Sequence, residues 1–285
     1  MSDLERDGYL LGLKDTATAF SLNNTARLLL DRGRFEEAEP LLRLSLFIFE
    51  KALGPDHPNM AMVMGNLGRA LFSTDRFEEG EKLLRRAIAI DEVALGADHP
   101  DAAVNMECLA LYLLSLARWD AAERLLRRVV AIREKALGHN DPILARDLNN
   151  LARALRHMYL LFEAESLMER ALKIDREALG PDHPDVARDL NNLGRVVESD
   201  GRPAAAEIHY RAALEIYEAR LGPAHIKVAH VLMNLARVVA RTRRQADARL
   251  FYRRALCIFE NTLGSDDSQT CAARNRLAEI GENGA

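Results

Sequence analysis

Two polar side chains recur along the sequence in a pattern that could bind a ligand. An asparagine is followed three residues later by an arginine in five places, each a multiple of 42 residues from the others. The guanidinium of arginine presents a planar fork of donors that matches a carboxylate or a phosphate. The amide of asparagine both donates and accepts, so it can hold the backbone of a peptide. The five pairs are Asn24/Arg27, Asn66/Arg69, Asn150/Arg153, Asn192/Arg195 and Asn234/Arg237.

Other chemically reactive side chains recur with the same spacing but do not predict catalysis. His57, His99, His183 and His225 are spread evenly along the chain, whereas the ligands of a metal must converge on one point. We therefore expect these histidines to cap helices, with no metal and no cofactor. The chain has no glycine-rich phosphate loop and no G-x-S-x-G motif, so we expect no enzymatic activity. A set of recurrent glutamates is expected to form surface or inter-repeat ion pairs: Glu39, Glu81, Glu123, Glu165 and Glu207.

The element that positions these side chains is a repeat of fixed length. Leu-Gly dipeptides follow one another at steps of 42 residues without an insertion or deletion. A constant period in this range indicates stacked units, each of which contacts its neighbours. The dipeptides fall at 53–54, 95–96, 137–138, 179–180, 221–222 and 263–264.

Each unit is predicted to contain two helices. In the fourth unit, from Pro142 to about residue 158, apolar residues follow the spacing i, i+3, i+4, i+7 that places them on one helical face. A second helix is predicted from about residue 162 to Leu179, and Gly180 supplies its C-terminal cap. The apolar positions are Leu148, Leu151, Ala152 and Leu155 in the first helix and Ala164, Leu167, Met168 and Ala171 in the second.

The pattern Leu-x-x-Leu-Ala/Gly-x-x-Leu, followed by Ala, then by an aromatic residue or Leu four residues later and by Ala three residues after that, resembles the tetratricopeptide repeat. The 42-residue length, the Leu-Gly-x-Asp-His-Pro connector and the Asn-Asn-Leu-Ala segment resemble the variant found in kinesin light chains. This resemblance implies an all-α fold, a right-handed α-solenoid of stacked helix-turn-helix repeats in one domain, 1–285. We expect an N-terminal cap at 1–14, repeats at 15–57, 58–99, 100–141, 142–183, 184–225 and 226–267, and a capping helix with a tail at 268–285.

Composition narrows the function classes. The 39 Lys and Arg residues against 43 Asp and Glu residues leave a net charge of −4, which disfavours a nucleic-acid or cationic membrane-surface protein. No stretch approaches the length of apolar residues that spans a bilayer. The cysteines Cys108, Cys257 and Cys271 form no CxxC pair, which favours a reducing compartment. We therefore expect a cytoplasmic protein that contacts neither nucleic acid nor membrane.

The asparagine–arginine pairs lie on the face of the first helix opposite its apolar stripe. In tetratricopeptide arrays this face lines the concave groove that holds an extended peptide. Arg146, Arg156 and Arg188 extend the face in the middle units, so we expect repeats four to six to bind an acidic or carboxylate-bearing segment. Asp147 and Asp189 lie about 100° round the helix from Arg146 and Arg188 and are expected not to neutralise them.

The third unit departs from the pattern, and a structural role for the recurrent residues stays open. Glu107, Cys108 and Leu111 replace the polar residues there, which would divide the groove into a shorter N-terminal and a longer C-terminal part. The asparagines could instead bond between repeats, and the arginines could pair with the recurrent glutamates of the second helices.

Three classes of function fit these expectations. The leading hypothesis is a non-catalytic adaptor that captures a linear, acidic segment of another protein. The alternatives are a sensor or regulatory module of a bacterial signalling system and a structural scaffold that self-associates through its end faces. The sequence contains no segment that identifies the partner.

Overall fold

The predicted all-α repeat fold is confirmed. The computed structural model describes residues 15–282, and that part of the chain forms thirteen α-helices and no β-strand. The predicted N-terminal cap, 1–14, and the last three residues of the predicted tail lie outside the described residues. The helices are α1 (Thr16–Asp31), α2 (Phe35–Leu53), α3 (Pro58–Ser73), α4 (Phe77–Ala94), α5 (Pro100–Ser115), α6 (Trp119–Leu137), α7 (Pro142–His157), α8 (Leu161–Leu179), α9 (Pro184–Ser199), α10 (Pro203–Leu221), α11 (Ile226–Arg241), α12 (Gln245–Leu263) and α13 (Ser268–Glu282).

The chain divides into two compact units, Met1–Gly138 and His139–Ala285. The first unit contains α1–α6 and the second contains α7–α13. Within each unit every helix packs against the next helix in the chain. The first helices of successive repeats also contact each other. In the first unit α1 contacts α3 and α3 contacts α5, and in the second unit α7 contacts α9 and α9 contacts α11. This second set of contacts builds one continuous face from the first helices in each unit.

Side chains in the connectors start the first helices, as predicted for the histidines. The Nδ1 atom of His57, His99, His183 and His225 in each case accepts a hydrogen bond from the backbone N–H two residues later. A cap of this kind satisfies one of the donors that a helix leaves unpaired at its N-terminus. Asp141 performs the same role for α7, its Oδ1 accepting from Ile143 N at 2.8 Å. The recurrence of histidine is therefore explained by helix capping.

The paired helices cross at small residues. Ala152 and Ala171, small residues at predicted apolar positions of α7 and α8, are fully buried. In the next repeat Gly194 occupies the position of Ala152, and a Cβ atom there would lie 2.6 Å from Cε1 of Tyr210. The second helix of that repeat therefore approaches too closely for a methyl group while Tyr210 keeps its place.

Four of the five recurrent glutamates form ion pairs between repeats, and the fifth, Glu123, pairs with Arg127 of its own helix. Arg118, in the turn before α6, donates to Glu81 of α4 at 2.8 Å. Arg244, in the turn before α12, donates to Glu207 of α10 at 2.9 Å. These glutamates also pair with an arginine one turn further along their own helix, as Glu207 does with Arg211. The predicted inter-repeat role is confirmed, although exposed ion pairs of this kind contribute little each.

Candidate peptide-binding face

Three of the five predicted asparagines form hydrogen bonds between repeats. In each bond the Nδ2 group donates to the side-chain oxygen of an asparagine on the first helix of the preceding repeat, at 2.8–3.0 Å. The structural role that the sequence left open is therefore observed at these positions. The bonds join Asn66 to Asn23, Asn192 to Asn149 and Asn234 to Asn191.

Sequence reasoning missed the acceptors of these bonds, although each is the first member of an Asn-Asn doublet. Asn149 also donates from Nδ2 to Oδ1 of Asp189 at 2.8 Å, so its amide is fully engaged in the core. Asn150 differs from the three donors, because it forms no hydrogen bond with any residue in the range 15–282 and lines a cavity. Asn24 lies on the exposed surface of α1.

Two predicted arginines are neutralised by acids that sequence reasoning did not identify. Arg69 pairs with Asp31 at 2.6 Å. Arg237 binds Glu198 through both arms of its fork, Nε to Oε1 at 2.6 Å and Nη2 to Oε2 at 2.7 Å. Both acids lie at the C-terminal end of the preceding first helix. The alternative, pairing with the recurrent glutamates of second helices, does not occur at Arg69 and Arg237, and four of those glutamates bind arginines of the turns instead.

Arg188 is also neutralised, which corrects the expectation for Asp189. Its guanidinium lies 2.7 Å from Asp185, 3.0 Å from Asp189 and 2.9 Å from Asp175 of α8. The long arginine side chain spans the 100° that separates adjacent residues on the helix. Burial raises the pKa of Asp189 to about 7, against the opposing charge of Arg188, and burial also raises the pKa of Asp175.

Three arginines of α7 and α9 have no acidic partner within the described part of the chain. The Nε atom of Arg153 is buried and forms no hydrogen bond there. Arg195 forms neither a hydrogen bond nor an ion pair with any residue of that range. Arg156 contacts only neutral groups, the ring of His157 at 2.6 Å and the hydroxyl of Ser199 at 3.5 Å.

The electrostatics of these three side chains are dominated by burial, which the charge of Glu198 near Arg156 and Arg195 does not offset. Burial and the charge of Arg195 lower the pKa of Arg153. Burial, together with the charges of Arg195 and Arg237, lowers the pKa of Arg156 to about 10. Burial likewise lowers the pKa of Arg195 and, with Arg156, that of His157. The three guanidiniums therefore remain cationic at neutral pH while they are partly desolvated and repel one another.

One position of the repeat explains why Arg237 is paired with an acid and Arg195 is not. Arg156 stands 42 residues before Glu198, at the equivalent point of α7. Glu198 faces the arginine of the following repeat, Arg237, and neutralises it. Arg156 is instead near Arg195, whose like charge helps to lower the pKa of Arg156. A charge reversal at one position thus leaves the junction of α7 and α9 without its acid.

Two concave sites adjoin these arginines. The first, which we call the arginine cavity, has a volume of about 190 Å³ and no acidic residue in its lining. The second, which we call the groove, has a volume of about 830 Å³ and runs beside α7, α9, α11 and α13. Arg156 and Arg195 line both, so the cavity and the groove are continuous. The arginine cavity is lined by Arg146, Asn149, Asn150, Arg153, Arg156, Met168, Arg188, Asn192, Arg195 and Val196.

The corresponding face of the first unit has a different charge balance. Arg27 and Arg69 line a concave site there of about 440 Å³, together with Asp91 and Asp101. Arg69 is also paired with Asp31. The surplus of positive charge is therefore a property of the second unit.

Metal centres and membrane-spanning helices are two other classes of site, and neither is found in residues 15–282. Within that range, histidine, cysteine, aspartate and glutamate side chains form no group of three or more that could hold a metal ion. None of the helices in the same range combines the length and the apolar character needed to cross a bilayer.

The family model described as tetratricopeptide repeat matches the chain at residues 15–91, 60–135, 102–159, 148–219 and 200–261. No curated protein gives a significant match. Among solved structures, a kinesin light chain of Podosopora anserina with nearly identical TPR-like repeats is 26% identical, with a TM-score of 0.65, and covers 72% of this chain and 97% of that one. BtubC (BKLC) from P. vanneervenii is 22% identical, with a TM-score of 0.64, over 77% and 87% of the two chains. RapI is 12% identical, with a TM-score of 0.65, over 93% and 97%.

These matches agree with the helix order and the packing described above. Repeats of this kind generally build extended protein-interaction surfaces and scaffolds rather than catalytic centres. The period of 42 residues and the similarity to kinesin light chain repeats specify the type. The chain belongs to the tetratricopeptide repeat family, and its repeats are of the kinesin-light-chain-like type.

Proposed function

We propose that this protein is a non-catalytic adaptor that binds an extended, acidic segment of another protein on the face formed by α7, α9 and α11. The observation that carries this proposal is the group Arg153, Arg156 and Arg195, which are partly buried and form no ion pair with an acid among the described residues. A buried charge without a counter-charge is destabilising. An acidic ligand supplies the missing counter-charge, so binding relieves a penalty that the free protein carries.

The size of this interaction supports a specific contact. A hydrogen bond to a charged group contributes about 1.5–3 kcal/mol net. Two such arginines therefore contribute about 3 kcal/mol or more, which corresponds to a change of roughly a hundredfold in affinity. Exposed parts of the contact weaken with added salt, because screening acts over about 8–10 Å.

The groove supports an extended ligand with an apolar residue near its acidic group. Tyr159 lines the groove beside Arg156 and is 81% exposed. Leu160, in the same turn, and Phe162, at the start of α8, are exposed as well. An exposed aromatic side chain at the edge of a concave site offers a large contact area to a partner. We therefore infer an acidic segment that also carries an aromatic or aliphatic side chain.

The three cysteines support a reducing environment for this adaptor. Cys108, Cys257 and Cys271 are all free thiols. Disulfide bonds are rare in the cytoplasm, and unpaired cysteines are in keeping with it. We accordingly place the proposed interaction in the cytoplasm.

The test uses short fluorescent peptides of alternating residues, Glu-Ala, Gln-Ala and Lys-Ala, with fluorescence anisotropy as the measurement. We expect the Glu-Ala peptide to bind at least about tenfold more tightly than the Gln-Ala peptide, and the Lys-Ala peptide not to bind. The double variant Arg153→Glu with Arg195→Glu should weaken binding of the Glu-Ala peptide by about a hundredfold.

A matched control separates local from overall charge. Arg124 and Arg253 are exposed and form no ion pair within residues 15–282. The double variant Arg124→Glu with Arg253→Glu changes net charge by the same amount and should bind like the unmodified protein. Circular dichroism of each variant establishes that it is folded. Equal binding of the two double variants, or of the Glu-Ala and Gln-Ala peptides, would contradict the proposal.

A further inference from the structure

The arginine cavity differs in size and charge from the groove with which it is continuous. Its volume is about 190 Å³, against about 830 Å³ for the groove. A space of that size holds one charged group with its hydration rather than a length of peptide. Five arginines and three asparagines line it, and aspartate and glutamate are missing from the lining. The cavity therefore selects a single compact anion.

The charge of that anion follows from the arginines that remain uncompensated. Arg188 is balanced by three aspartates. Arg153, Arg156 and Arg195 together place three positive charges at the cavity, and none of them forms an ion pair within the described range. The nearest acid, Glu198, acts on Arg156 and Arg195 only through space and is itself bound by both arms of Arg237. One carboxylate would leave two of the three charges uncompensated. A phosphoryl group carries about −1.5 to −2 charges at neutral pH, together with three strong acceptor oxygens.

The geometry of the donors also suits a phosphoryl group. Each guanidinium presents a fork that binds two oxygens side by side. The buried Nε of Arg153 is one donor that awaits an acceptor. Asn150, on the same wall of the cavity, has an amide without a hydrogen-bond partner among residues 15–282. The three arginines and this amide can engage three oxygens from several sides, whereas a carboxylate has only two.

We propose that the arginine cavity receives the phosphoryl group of a phosphorylated side chain, so that phosphorylation of the partner segment controls its binding. This inference rests on the proposed function, because it specifies the ligand of the same face. The groove would hold the residues that flank the phosphorylated one. Phosphorylation then acts by adding the second negative charge that the three arginines require.

The first test uses inorganic phosphate alone, compared with acetate at equal ionic strength and pH 8. Isothermal titration calorimetry and the thermal unfolding midpoint are the measurements. We expect phosphate to bind at least about tenfold more tightly than acetate and to raise the unfolding midpoint. The variant Arg156→Glu, which copies the arrangement of Glu198, should abolish phosphate binding, and Arg195→Gln should weaken it by at least about tenfold.

The control for these variants is Arg253→Glu. It changes the charge of the same unit by the same amount on an exposed surface and should bind phosphate like the unmodified protein. Circular dichroism shows whether Arg156→Glu is folded, and Arg195→Gln provides an independent result. Equal binding of phosphate and acetate, or unchanged phosphate binding in both cavity variants, would overturn the proposal.

The second test distinguishes a phosphorylated side chain from free phosphate as the source of the group. Three acidic peptides of one sequence carry serine, glutamate or phosphoserine at a central position. We expect the phosphoserine peptide to bind at least about tenfold more tightly than the glutamate peptide, and Arg156→Glu to remove this advantage.

The outcomes also separate the two proposals. A phosphoserine peptide that binds no better than the glutamate peptide overturns this inference and leaves the acidic-segment adaptor intact. Phosphate binding without a phosphoserine advantage has the same consequence, because the cavity would then serve free phosphate. Failure of all three peptides to bind overturns the proposed function as well.

Discussion

The hydroxyl group of Tyr210 donates a hydrogen bond of 2.8 Å to Oε2 of Glu198. Burial would raise the pKa of Glu198, but the hydrogen bonds and charge of Arg237, together with the bond from Tyr210, outweigh it and lower that pKa. The same bond holds the ring of Tyr210 against Gly194. One buried carboxylate thus links the core packing of a repeat to the charge of its ligand-facing side.

The variant Gly194→Ala should lower the free energy of unfolding by about 1–3 kcal/mol. The new methyl group would lie 2.6 Å from Tyr210, and the ring cannot move away while it remains bonded to Glu198. Urea denaturation monitored by circular dichroism measures the change. In a Tyr210→Phe background, where the ring is released, the same substitution should be less destabilising. An equal effect in both backgrounds would show that the hydrogen bond does not fix the ring.

Substitutions of Arg195 and Arg237 should have opposite effects on stability in the absence of ligand. Arg195→Gln removes a partly buried charge that forms no ion pair among the described residues and whose pKa burial lowers, so the free energy of unfolding should rise. Arg237→Gln leaves Glu198 buried without its bidentate partner, so the free energy of unfolding should fall by about 1–3 kcal/mol. Thermal unfolding at low salt compares the two. The prediction is wrong if both variants shift the unfolding midpoint in the same direction.

Two asparagines of one face should separate structural from binding roles. Asn192 donates to Asn149, so Asn192→Ala should lower the free energy of unfolding by about 0.5–1.5 kcal/mol. Asn150 has no such bond, so Asn150→Ala should leave stability nearly unchanged and weaken binding of the acidic peptide. Chemical denaturation and fluorescence anisotropy on both variants provide the comparison. Loss of stability in Asn150→Ala equal to that in Asn192→Ala would contradict the assignment.

The buried carboxylates around Arg188 predict a pH dependence of stability. The folded protein holds the proton of Asp189 up to a pKa of about 7, whereas the unfolded chain releases it near 3.9. Between these values the folded state binds more protons, so this contribution to stability decreases as pH rises from about 4 to 7 and is constant above. The variant Asp189→Asn lacks this titrating group. The free energy of unfolding of the variant minus that of the unmodified protein should therefore be larger at pH 8 than at pH 5.5.

The measurement for this pH effect is the difference between the variant and the unmodified protein at the two pH values. His157 and His209, whose pKa values are lowered chiefly by burial, act in the opposite direction near their own pKa values. Because both histidines are present in each protein, their contribution cancels in the difference. Asp120→Asn, at an exposed position, is the control. If the Asp189→Asn variant had the pH profile of the unmodified protein, Asp189 would not hold a proton in the folded state at pH 5.5.

The fold was accessible from the sequence because its determinants are local and repeated. The spacing of Leu148, Leu151, Ala152 and Leu155 predicts one helical stripe, and all four are buried in the structure. His183 before Pro184 predicts a capped helix start, which the structure places at Pro184–Ser199. Each of these signals is read within a few residues of the element it specifies, and six copies reinforce one another.

The charge balance of the face was not accessible in the same way. Its outcome depends on pairs such as Arg237 with Glu198 and Arg69 with Asp31, whose members lie 39 and 38 residues apart. The period gives the spacing of equivalent positions, but the contact between α9 and α11 decides which of them meet. The reach of the Arg188 side chain to Asp175 of α8 likewise depends on packing between helices. The Asn-Asn doublets were the one available signal for the hydrogen bonds between repeats, since the first asparagine of each doublet accepts the bond from the following repeat.

The exchange of glutamate for arginine between positions 198 and 156 has a consequence for how such proteins diversify. Duplication supplies every unit with the same scaffold, so a new recognition site requires no new fold and no rearranged loop. One residue, at the position of Arg156 and Glu198, determines whether the contact between two adjacent first helices includes an acid. The same residue therefore determines where along the chain an acidic ligand is bound. The paired exchange Arg156→Glu with Glu198→Arg would therefore move the contact that lacks an acid by one repeat, from Arg195 to Arg237. Specificity in this architecture can be inherited, lost or relocated by point mutation, independently of the number of units.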